Sequence, residues 1–142
     1  MRPGPGDPEP SVRYGNCMKL SLDAPAATNL IRSYGPAGVQ VGERTLTRST
    51  IVSPSRLIED WRPRSIDELL QADLAPLLEW RPGVVLIGTG ARQRFPAQDL
   101  LAVLYASRLG FEFMDTGAAC RTYNVLVAEG RDVAAALIVE SH

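Results

Sequence analysis

Val84-Val85-Leu86-Ile87-Gly88-Thr89-Gly90 decides the fold. Four apolar residues followed at once by two glycines around a threonine describe a strand buried on both faces that ends in a tight turn. Beyond it the spacing predicts a helix that begins at Pro96. Ala97, Leu100, Leu101 and Leu104 stand at i, i+3, i+4 and i+7 toward a core, Arg108 lies in the last turn and Gly110 ends the element. Phe111 to Met114 alternates, with Phe111 and Phe113 on one face and Glu112 on the other, as expected of a sheet edge. Asp115 or Thr116 then caps a second helix, whose buried stripe is Ala119, Tyr123, Leu126 and Val127 and whose end is Gly130. Val133 to Val139 is apolar throughout, so this last strand belongs in the middle of the sheet with Val84 to Ile87. The order βαβαβ makes the class α/β. The expected architecture is a single α/β domain, in which the strands at 84–87 and 111–114 are parallel neighbours.

Upstream, short β-prone pieces are separated by turn residues. Leu30 to Tyr34 reads as a strand, Gly35-Pro36-Ala37-Gly38 as a turn, Val39 to Val41 as the return strand and Ser49 to Val52 as another after Gly42, together an N-terminal antiparallel meander. Between the halves, Ser65 is expected to cap a helix from Ile66 to Ala72, with a second piece from Ala75 to Trp80. Trp61 and Trp80 each begin a Trp-Arg-Pro triplet, read as large core anchors at the ends of elements. Residues 1–27 are rich in proline, glycine and small side chains and read as a disordered leader, with Met18 as an alternative start; residues 28–142 read as the single domain.

The 142 residues suffice for one core without disulfides or metals. A net charge of −1 gives nucleic-acid or polybasic membrane binding no electrostatic support. No apolar run reaches the length of a transmembrane segment, and Cys17 and Cys120 lie too far apart for a Cys-x-x-Cys motif, so a reduced, cytoplasmic location is the default. Lys19 is the only lysine, and the arginines are scattered rather than clustered.

Absences narrow the chemistry. The only histidine is His142, so no His-centred triad or His-based zinc site is expected, no residue is singled out as catalytic, and neither metal nor cofactor is implied. Gly88-Thr89-Gly90 resembles the start of a dinucleotide fingerprint, but position 93 is Gln where a third glycine would stand. Topology nevertheless gathers polar groups at one rim, because ligands of open α/β sheets bind at the carboxyl ends of the strands. The candidate ligand-binding residues are Gly88, Thr89, Gly90 and Arg92 from the turn, with Arg94 nearby, and Thr116, Cys120, Arg121 and Asn124 from the opening of the last helix. Free amides and arginines there would suit a small anionic ligand. Cys120 reads either as a thiolate favoured by the helix dipole and Arg121 or as a small buried thiol; Arg121, Asn124, Glu129 and Arg131 read either as binding residues or as a network tying helix to loop.

At these residues a resemblance emerges. Ile87-Gly88-Thr89-Gly90, Pro96, the run from Met114 to Leu126, and Glu129-Gly130-Arg131 resemble a domain-of-unknown-function family that includes mitochondrial NADH dehydrogenase complex I assembly factor 3 and an adipogenesis-associated domain protein. The resemblance implies a single three-layer α/β domain with a mixed β-sheet, whose last strand is inserted centrally, antiparallel to its neighbours. It also implies a non-catalytic interaction or assembly role with a protein partner, in respiratory-complex or membrane-protein biogenesis, and supplies no catalytic residues. The alternative is a small-molecule or anion-binding protein, or an enzyme, with its pocket at the Gly88–Gly90 loop and the N-terminus of the 116–129 helix.

Overall fold

The computed structural model describes residues 28–140. The expected leader and the last two residues lie outside this range. A three-stranded antiparallel sheet comes first: β1 (Ile31–Gly35), β2 (Gly38–Val41) and β3 (Arg44–Leu46), in that order. β4 (Thr50–Val52) leaves the meander, with β5 (Leu57–Ile58) paired to it as an antiparallel edge. Two 3-10 turns at Ile66–Glu68 and Gln71–Leu74 lead into α1 (Ala75–Trp80), then β6 (Val84–Gly88), α2 (Gln98–Ser107), β7 (Gly110–Met114), α3 (Thr116–Ala128) and β8 (Val133–Leu137).

The larger sheet has the order β5-β4-β8-β6-β7, with β6 parallel to both β7 and β8 and β4 antiparallel to β8. The last strand is therefore central as expected, but antiparallel to only one of its neighbours. The chain crosses from β6 to β7 through α2 on one face and returns through α3 on the other face. That return skips past β6, so β8 arrives parallel to it. Residues Val133 to Ile138 are wholly buried. Ala134 and Ala136 face a core of Trp61, Leu74, Leu77, Leu100 and Leu104, while Val133, Ala135 and Leu137 face Val39, Val41, Ala119, Tyr123 and Val127. Two cores on either side of one sheet are the three layers that the apolar run of β8 requires.

Several local readings need correction. The meander is completed by β3, whose Arg44 and Thr45 are exposed and give little apolar signal, while the strand at Ser49 to Val52 pairs in the other sheet with β8. The helix expected from Ile66 to Ala72 is two 3-10 turns interrupted at Leu69 and Leu70, both extended, and Ser65 makes no capping bond. Side-chain bonds account for this: Asp73 accepts the Leu70 N–H at 2.8 Å and so starts a second turn, and Arg62 clamps the two turns by donating both to the Glu68 carbonyl and to Asp73 at 2.7 Å. α2 starts two residues after Pro96, and its left-handed terminus is Arg108 (φ 64°), leaving Gly110 to begin β7. α3 matches its signals. Asp115 caps it by accepting the Ala118 N–H at 2.8 Å, and Gly130 and Arg131 donate to Val127 and Leu126 in a Schellman end.

Candidate functional site

The carboxyl ends of β6, β7 and β8, at Gly88, Met114 and Leu137, share one rim. There the glycine turn and the start of α3 are joined directly. Gly90 donates its N–H to Thr116 Oγ1 at 2.8 Å, Thr116 N–H donates to the Gly90 carbonyl at 2.9 Å, and the Thr116 hydroxyl donates to the Ile138 carbonyl at 2.7 Å. One buried hydroxyl thus connects a strand, a helix and the exit of the central strand. Gly88 is needed because a Cβ there would stand 2.9 Å from the Thr116 Cα, so any side chain would push α3 off the sheet. Thr89 holds the turn from inside: its hydroxyl donates to the Arg92 carbonyl at 2.6 Å and accepts the Arg94 N–H at 3.0 Å.

Gly90 has φ +102°, and a Cβ on it would lie 2.5–2.7 Å from the carboxylate of Glu140. That carboxylate accepts the Ala91 N–H at 3.0 Å. The notch between glycine turn and helix is thus occupied by a carboxylate of the chain itself. Tyr34 from β1 stands nearby, and burial first, with the neighbouring Glu140 and Asp115 carboxylates adding to it, pushes its hydroxyl above the ordinary pKa. The ring of Tyr34 also closes over Gly117, within 3.5 Å of where a Cβ would stand.

The expected site residues divide accordingly. Gly88, Thr89, Gly90 and Thr116 are buried and in mutual contact. Cys120 is buried on the inner side of α3, and desolvation pushes its thiol up to about 12 against the opposing pull of Arg121. Of the two readings of Cys120, its burial favours the small buried thiol. Arg92 is exposed, and among the described residues its side chain has no partner. Arg94 turns to Asp67 at 2.7 Å. Arg121 is exposed and folds back along Gly117. Asn124 faces a different place, accepting the Ile31 N–H at 3.0 Å and donating to the Ile31 carbonyl at 2.6 Å, so it fastens β1 to α3. Glu129 and Arg131 are exposed and form no ion pair among the described residues.

Sequence reasoning missed Glu140 and Tyr34. Glu140 carried a usable signal, as the first charge after the central strand; Tyr34 is brought in only by the packing of the small sheet on α3. It also missed a concavity further along the same rim, about 450 Å³, lined by Thr47, Arg48, Ser49, Trp61, Arg62 and Val139 among others. Its arginines are largely engaged. Arg62 forks onto Asp73 at 3.1 and 2.7 Å, and Arg48 pairs with Asp60 at 3.3 Å. Burial acts to raise the Asp73 pKa, but Arg62 and the Leu70 N–H outweigh it and hold the carboxyl below its ordinary range. Arg64, which also lines the groove, forms no ion pair among the described residues.

The fold and rim define a class: a three-layer α/β domain with a mixed sheet, whose polar rim groups serve mainly to join its own elements. The profile of the family described as "Protein of unknown function (DUF498/DUF598)" matches residues 31–138, and the chain belongs to that family. It is 33% identical over 139 residues to NADH dehydrogenase [ubiquinone] 1 alpha subcomplex assembly factor 3 of Danio rerio, across 96% of this chain and 78% of that protein. It spans only 59–65% of the bovine and human proteins of the same name, at 29% identity. A Xanthomonas campestris protein solved by NMR superposes with a TM-score of 0.72 at 41% identity, covering 88% of this chain and 97% of that one. An outer membrane protein from Bartonella henselae superposes equally well, at 32% identity over 81% of this chain and 98% of its own. Among the described residues no helix is long and apolar enough to cross a membrane.

Proposed function

We propose that this chain is a non-catalytic interaction factor acting from the cytoplasm in the assembly of a multi-subunit complex, with a respiratory complex or another membrane protein as its client. The observation that carries the reading is its similarity, at about one residue in three and along almost the whole chain, to a protein named for complex I assembly. The rim supports it. The amides of Thr89, Gly90 and Ala91 are all engaged within the molecule, and the Cys120 thiol is buried and desolvated. The test is replacement: cells depleted of the related assembly factor are supplied with this chain, directed to the compartment where that factor works, and complex I is followed on native gels. Restored complex is the expected result. A chain that folds and accumulates there yet restores none overturns the reading.

A second reading, a small anionic ligand held at the Gly88-Thr89-Gly90 turn and Thr116 with Arg92 and Arg121, is favoured by one observation: a carboxylate, that of Glu140, already sits on the Ala91 N–H. A ligand would have to displace it. Glu140→Ala should then raise the thermal shift given by phosphate, dicarboxylates or nucleotides, and no shift in either protein removes this reading.

A further inference from the structure

β7 is the free edge of the five-stranded sheet. In a parallel ladder alternate residues turn their main-chain groups toward a given neighbour. The Met114 carbonyl accepts the Thr89 N–H on the β6 side, so Gly110, Glu112 and Met114 face β6 while Phe111 and Phe113 direct their N–H and C=O groups outward. Of these outward groups only the Phe113 carbonyl has a partner among the described residues, Gln93 Nε2 at 3.4 Å. The strand carries neither proline nor lysine, the residues that usually blunt such an edge.

One face of this edge is lined by a row of rings. Phe95 meets Phe113 at 5.6 Å between centroids, Phe113 meets Phe111 at 5.6 Å and Phe111 meets Tyr105 at 5.1 Å, all edge to face. The outer two are largely uncovered, Phe95 at 61% and Tyr105 at 71% exposure. The opposite face presents Glu112, exposed and without an ion pair among the described residues. An antiparallel pairing of β7 with a second copy, centred on the outward-facing Phe111 and Phe113, would set Glu112 against its own counterpart. Like charges directly opposite on a sheet are unfavourable, so the edge discriminates against itself.

We infer that β7 is the docking edge for an extended segment of a partner protein with the pattern apolar–basic–apolar, which adds as a sixth strand. Its main chain takes up the outward groups of Phe111 and Phe113, its basic residue stands opposite Glu112, and its apolar neighbours lie on the ring row between Phe95 and Tyr105. The inference rests on the interaction reading above and supplies its surface.

The experiment uses the full chain and a synthetic probe, the heptapeptide Val-Thr-Val-Lys-Val-Thr-Val, with a second peptide in which glutamate replaces the lysine. NMR should show the lysine peptide slowing hydrogen exchange at the Phe111 and Phe113 amides and binding about fivefold more tightly than the glutamate peptide. Glu112→Lys, an exposed change that leaves the core intact, should reverse that preference, and Phe95→Ser should weaken both peptides. Absence of protection in β7, or a preference that Glu112→Lys does not reverse, overturns the proposal. So does a full chain whose Phe111 and Phe113 amides are already protected, whether by its own residues 1–27 or by self-association seen in sedimentation. Success of the replacement assay with Glu112→Lys as well as the parent would sink this surface and leave the assembly role standing. Failure of the parent there, with peptide binding intact, would do the reverse.

Discussion

Replacing Thr116 by valine keeps the shape of a fully buried side chain and removes only its hydroxyl. That hydroxyl serves two main-chain groups, the Gly90 N–H at 2.8 Å and the Ile138 carbonyl at 2.7 Å, and no water can reach them if the packing holds. Each buried polar group left without a partner costs about 1–3 kcal/mol, so the pair costs about 3 kcal/mol, a large share of the roughly 5–15 kcal/mol that holds a domain together. For a domain of this size that corresponds to a fall in Tm of about 12 °C. Thr116→Ser is the control: it keeps both bonds and loses one methyl, about 1 kcal/mol. Urea denaturation of the three proteins, with hydrogen exchange at the Gly90 amide, reads the effect directly. If valine costs less than serine, the hydroxyl is not the joint between turn, helix and central strand, and the account of the rim is wrong.

Two further perturbations probe the neighbouring elements. Asn124→Ala should cost about 2 kcal/mol by leaving the Ile31 N–H and carbonyl unpaired, and β1 amides should then exchange faster than those of β8. For Cys120 the unfolded chain loses the thiol proton near 9 and the folded chain only near 12. The unfolded state therefore binds fewer protons in that interval, and stability falls as pH rises through it, by at most about 1.4 kcal/mol per pH unit for this group. Tyr123, also raised by burial, adds to the fall above its ordinary value of 10. Urea midpoints between pH 9 and 10 should accordingly be flatter in Cys120→Ala than in the parent, and equal slopes would show that the thiol is not desolvated.

The C-terminal half was legible because its signals are local and agree with one another. The apolar run at Val84 to Ile87, the Asp115 cap, the Ala119, Tyr123 and Val127 stripe and the Gly130 terminus each act through near neighbours in the chain, and each recurs in the structure. The middle was not legible, because Asp73 takes hold of Arg62 and the Leu70 N–H and overrides the helical pattern around Leu69. The glycine turn and Thr116 could be placed at one rim by topology alone. Asn124 could not be placed, since its amide reads equally well as a ligand group or as the clamp on Ile31 that it proves to be.

What the residue order by itself determined is the alternation of strand and helix, the burial of β8 and the meeting of the Gly88 turn with the cap of α3. Those outcomes depend on hydrophobic period, on caps and on the handedness of crossovers, all of which the chain carries within a few residues of each site. Only the tertiary structure decided that β8 runs parallel to β6 and antiparallel to β4, that Glu140 fills the notch beside Gly90, and that four rings line an open edge at β7. Each of these joins residues far apart in the chain through packing and desolvation, and no local pattern encodes which distant side chain will arrive.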